Sequence, residues 1–66
     1  MATSDLAISR SATLFLQLHG EEAIAKARDM VRTMKERGDN DGADAWLRII
    51  VAIETMWQRM NGGLLQ

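Results

Sequence analysis

Between Asp44 and Met60 the apolar side chains recur at helical spacing, but they do not make one narrow stripe. Laid out at about 100° per residue, Trp46, Ile50, Ile53 and Trp57 stand at the centre of an apolar arc. Ala43 and Leu47 flank it on one side, and Ile49, Met56 and Met60 on the other. The arc covers roughly half the circumference, where a stripe of ~100° is enough for a helix on the surface of a globular protein. The pattern predicts a helix over about 41–61 whose apolar surface exceeds what one neighbour can cover.

Two further helices precede it. The first is expected over about 5–19, with Thr3, Ser4 or Asp5 available to accept a hydrogen bond from an early backbone N–H. Its apolar set, Ala7, Ile8, Ala12, Leu14, Phe15, Leu16 and Leu18, is again a broad arc, and Ser9, Arg10, Thr13 and Gln17 form the wet side. The second is expected over about 21–37. Glu21 and Glu22 in its first turn and Lys35 and Arg37 in its last complement the helix dipole. Ala23, Ile24, Ala27, Met30, Val31 and Met34 fall in an ordinary amphipathic stripe. Glu22 with Lys26, and Arg32 with Glu36, stand four apart as exposed ion pairs worth about 0.2–0.5 kcal/mol each.

Glycine supplies all the punctuation, at Gly20, Gly38, Gly42, Gly62 and Gly63, and there is no proline. No segment alternates with period two for long enough to be a strand. The expected fold is all-α: one domain, a three-helix unit with short turns that make successive helices antiparallel neighbours, and a frayed tail over 62–66. The surplus apolar surface of the first and third helices is expected to be covered by a second copy in a homodimeric helical bundle. The interface residues predicted on this basis are Leu14, Phe15, Leu18, Trp46, Ile49, Ile50, Ile53, Met56, Trp57 and Met60. One tryptophan is expected in the core and the other at the interface, where tryptophan is enriched. Met30 with Met34, and Met56 with Met60, are pairs four apart that read as adaptable core filling.

Composition strengthens the case for self-association. A chain of 66 residues buries only ~60% of the surface its unfolded form exposes. With no cysteine and one histidine, neither disulfides nor a thiolate or histidine zinc site can add stability. The formal net charge of −1 argues against nucleic acid as the main partner. No run of about 18 apolar residues could span a bilayer, and the N-terminus has no basic, apolar leader. A cytoplasmic location follows as the default, with no membrane partner and no cofactor.

Candidate chemistry is thin. His19, at the end of the first helix, reads as a cap stabilised by the helix dipole, or else as a pH-sensitive contact across the dimer. Glu54 stands on the edge of the apolar arc of the third helix, either as a carboxylate reaching water or an arginine, or as a register-setting group inside the dimer. An enzyme built on His19 and Glu54 would be an incomplete constellation, and none is expected. The acidic turn at Asp39, Asn40, Asp41 and Gly42 resembles a calcium loop only superficially, since Arg37 and Arg48 occupy the positions of its first carboxylate and its bidentate glutamate. Capping is the better reading. Arg28, Arg32 and Lys35 lie on one side of the second helix and could form a basic patch.

Leu18-His19-Gly20-Glu21-Glu22-Ala23, Gly38-Asp39-Asn40-Asp41-Gly42 and Trp46-Leu47-Arg48-Ile49-Ile50-Val51-Ala52-Ile53 together resemble a group of very short alphaproteobacterial proteins. In that group a histidine-glycine turn precedes a helix and a glycine-aspartate turn precedes a tryptophan-arginine-isoleucine helix. The resemblance covers about Ala7 to Met56. It implies a bacterial, cytoplasmic, all-helical protein and brings no activity and no functional residues with it. The expected function is a non-enzymatic interaction or regulatory module that acts as a homodimer, with another protein as a further partner. The alternatives are a nucleic-acid-associated regulator using Arg28, Arg32 and Lys35, and a subunit of a hetero-complex.

Overall fold

The computed structural model describes residues 4–60, and every element in it is helical. Helix α1 spans Asp5–His19. Ser4 caps it, its hydroxyl accepting from the Ala7 N–H at 3.1 Å. It stops at Gly20, whose backbone N–H donates to the Leu16 carbonyl. The chain then makes one 3-10 turn over Gly20–Glu22, so Glu21 and Glu22, expected in the first α-turn, occupy this tighter turn instead. Helix α2 spans Ala23–Glu36 and helix α3 spans Asn40–Met60. Thr3, Asn61 and the tail expected to fray over 62–66 lie outside the described residues.

The link between α2 and α3 combines two capping devices. Gly38 takes φ 77°, which a side chain would disfavour. In that conformation its N–H reaches the Lys35 carbonyl at 3.0 Å and the Asp39 N–H reaches the Met34 carbonyl at 2.8 Å. These are the paired bonds of a Schellman end. Asp39 then caps α3, its Oδ1 accepting from the Gly42 N–H at 2.8 Å. Within the acidic turn, Asp39 is the residue that caps. Gly42 sits close under this cap. A Cβ there would stand 2.6 Å from Asp39 Oδ2 and 2.9 Å from Met34 Sδ. An alanine in a helix normally stabilises by ~1 kcal/mol relative to glycine. Here Gly42→Ala must displace the capping carboxylate, so the usual gain is offset by the lost cap: thermal melts should show a stability within about 0.5 kcal/mol of the parent, whereas Asp39→Ala should lose about 1 kcal/mol.

The core is built from all three helices. Ile8, Ala12 and Leu16 come from α1, Ala23, Ala27 and Val31 from α2, and Ala43, Ile49, Ile50 and Ile53 from α3. Four of these are alanines, which let the backbones approach closely. Ile53 is the largest side chain that is fully buried.

The breadth of the α3 arc has an internal cause. α3 packs on both α2 and α1 within the same chain. Met34 and Gly42 meet at the hairpin end, and Val31 with Ile50 lines the α2–α3 cleft further along. These two helices are antiparallel neighbours. On its other side α3 meets α1, but not as a parallel or antiparallel rod. The Phe15 and Trp46 rings pack edge-on with centroids 5.1 Å apart, whereas Leu16, the next residue, borders a groove with Met56 and Met60. Trp46 and Met56 are about 15 Å apart along a helix, at 1.5 Å rise per residue. Adjacent residues of α1 can reach both only if α1 lies across α3.

The expected interface is corrected accordingly. Ile49, Ile50 and Ile53 are buried in the chain's own core and cannot face a second copy. Phe15, Trp46, Met56 and Trp57 are partly buried and pack against that core. Both tryptophans pack against this core. Leu14, Leu18 and Met60 remain exposed.

Candidate interaction surface

On α1 only one four-spaced stripe, Ile8, Ala12 and Leu16, is buried. The outer side of α1 faces water. Leu14 is 60% exposed and Leu18 76%. Ala7, Ser11, Leu14 and Leu18 recur at intervals of four, three and four, which places them in one strip along the helix. All four are exposed. The strip is small at its N-terminal half and large at its C-terminal half. Sequence reasoning named the two leucines but missed Ala7 and Ser11 as their counterparts; the 7, 11, 14, 18 spacing was the available signal. Leu6, exposed on another side of α1, was also absent from the expected apolar set.

A second surface lies between α2 and α3. Arg28, Arg32 and Lys35 line an open groove of about 480 Å³ together with Val31, Leu47 and Ile50. The structure thus brings the three predicted bases together, and sets them around an aliphatic floor that the sequence reading did not foresee. Arg32 pairs with Asp29 at 3.5 Å, one turn back, and not with Glu36 as the spacing suggested. The Glu22–Lys26 pair forms at 3.9 Å, and a third joins Asp44 to Arg48 at 3.5 Å. All are exposed and contribute little to stability.

His19 ends α1 half-buried, its ring edge-on to Phe15 with centroids 4.4 Å apart. His19, Phe15 and Trp46 therefore form a continuous aromatic row that ties the end of α1 to the start of α3. Glu54 is half-buried on α3. No hydrogen bond or ion pair joins His19 to Glu54 among the described residues. Nor is any polar or charged side chain buried there, and no three His, Asp or Glu side chains gather as a metal site requires. No helix of the described residues is long and apolar enough to cross a membrane. What the surface offers is contact area: an apolar strip on α1 and a basic-sided groove between α2 and α3. No family model matches the chain, and neither a curated protein nor a solved structure is similar to it.

Proposed function

We propose that the chain is a non-enzymatic interaction module, a three-helix unit that pairs with a second copy of itself through α1. The observation that carries this reading is the exposed strip Ala7, Ser11, Leu14 and Leu18. Its shape complements itself. In an antiparallel α1–α1 pair about a two-fold axis, Leu18 of each copy lies over Ala7 of the other, and Leu14 over Ser11. Large side chains then enter the spaces that small ones leave, and both halves of the contact are the same surface, as two-fold symmetry requires. Pairing there would leave the intrachain core untouched.

Light scattering from micromolar to millimolar concentration tests the reading. It predicts a mass twice the 7.4 kDa of one chain. A single-chain mass throughout would refute it. Aggregation relieved only by co-expression with another protein would replace it with a hetero-complex.

A second reading has one observation in its favour. Arg28, Arg32 and Lys35 converge on one groove, as a regulator that contacts phosphates would need. In that case affinity for mixed-sequence oligonucleotides should fall steeply with added salt.

A further inference from the structure

The groove between α2 and α3 is chemically mixed in a way that narrows its partner. Its apolar surface is aliphatic and comes mainly from Leu47, 46% exposed, with Val31 and Ile50 buried beneath it. Its side is cationic, with Arg28, Arg32 and Lys35 all exposed on α2. The bases stand at intervals of four and three, and so follow the groove along one edge. A phosphate backbone would use the bases and leave the aliphatic floor without a contact, and no aromatic ring lines the groove for a base to stack on. An amphipathic helix satisfies both features, since its apolar residues can enter a groove while its flanking charges meet the groove's edge.

We infer that this groove binds an acidic amphipathic segment of another protein, with an aliphatic side chain seated against Leu47 and carboxylates facing Arg28, Arg32 and Lys35. The opposing charges nearby are few. Asp29 holds Arg32 in an exposed pair that a partner carboxylate can replace, Asp44 is paired with Arg48, and Glu36 and Glu54 are the other acids on the flanking turns. The inference deepens the interaction-module reading by naming a partner's chemistry, but it does not depend on self-pairing, because the groove and the outer strip of α1 share no residue.

The test uses the full chain and a fluorescently labelled synthetic peptide of leucine, alanine and glutamate, with the leucines on one helical face and the glutamates flanking them. Anisotropy should show saturable binding. The Arg28→Ala/Arg32→Ala variant should weaken it by about tenfold or more, as loss of facing charge partners does. A peptide of the same composition scrambled to destroy its apolar face should bind weakly. Equal binding of the scrambled peptide would overturn the inference by reducing the groove to a charge effect. So would failure of the acidic peptide where a mixed-sequence oligonucleotide binds with steep salt dependence. Repeating the titration with the Leu14→Glu/Leu18→Glu chain separates the two readings: unchanged peptide binding there upholds the groove whatever happens to self-pairing, and binding lost with dimerisation would overturn it as an independent site.

Discussion

Ile53→Ala should cost about 2–5 kcal/mol of stability, the range for truncating a fully buried aliphatic side chain. The reason lies in where α3 sits. Ile53 has no exposed surface and lies in the one core that all three helices share. Four alanines among the core residues already bring the backbones close, so the helices have little slack with which to fill the space left behind. A chain of this length has a total stability of roughly 3–10 kcal/mol at typical values per residue. The variant should therefore melt about 10–30 °C lower, or be unfolded at room temperature, when followed by far-ultraviolet circular dichroism. Leu47→Ala, which truncates a residue 46% exposed on the same helix, should change stability far less. Equal melts for the two variants would show that α3 does not hold the centre of the fold.

The second large effect is on association and leaves the fold intact. Leu14→Glu/Leu18→Glu places charge on the outer strip of α1, whose residues are all exposed and none of which belongs to the buried core. A two-fold pair covers four such leucines. At about 1–2 kcal/mol of burial each, their loss removes roughly 4–8 kcal/mol. That is about three decades or more in Kd, before the cost of placing four carboxylates in an apolar contact. Sedimentation should show a dimer converted to a monomer across the accessible concentration range, while the circular dichroism of dilute samples stays that of the parent. A variant that sediments like the parent would place the contact elsewhere.

The helices themselves were readable from the sequence because their signals are local. Ser4 and Asp39 cap where short polar residues were expected, and Gly20 and Gly38 end α1 and α2 where the apolar periodicity breaks. The 3-10 turn at Gly20–Glu22 was not readable, since its residues carry the same acidic start that suits an α-helix. The larger misreading concerned α3. Periodicity reports the angular width of an apolar face, not the number of neighbours that share it. Ile49, Ile50 and Ile53 looked like surplus because a single neighbour was assumed, whereas α2 and α1 cover them from two sides. On α1 the reverse holds. Only the four-spaced stripe Ile8, Ala12 and Leu16 is buried there, and Leu14 and Leu18, each two residues further on and so about 200° away, stay outside although their arc resembles that of α3. Crossing angle depends on which small residues allow close approach, here Ala12 among them, and no single helix records it. The basic-sided groove was half legible: the spacing of Arg28, Arg32 and Lys35 was visible, but its floor joins Val31 to Leu47 and Ile50 across two helices.

Disulfide trapping tests the self-pairing surface most directly, and the chain contains no cysteine to confuse it. Positions 7 and 18 lie about 16 Å apart along α1 at 1.5 Å rise per residue, too far to bridge within one chain. In the antiparallel pair each faces the other across the two-fold axis. The Ala7→Cys/Leu18→Cys chain, oxidised at low concentration, should therefore run as a covalent dimer, while Ala7→Cys and Leu18→Cys alone should not cross-link. A double variant that stays a single chain under oxidation, or single variants that cross-link as readily as the double, would contradict pairing through the outer face of α1.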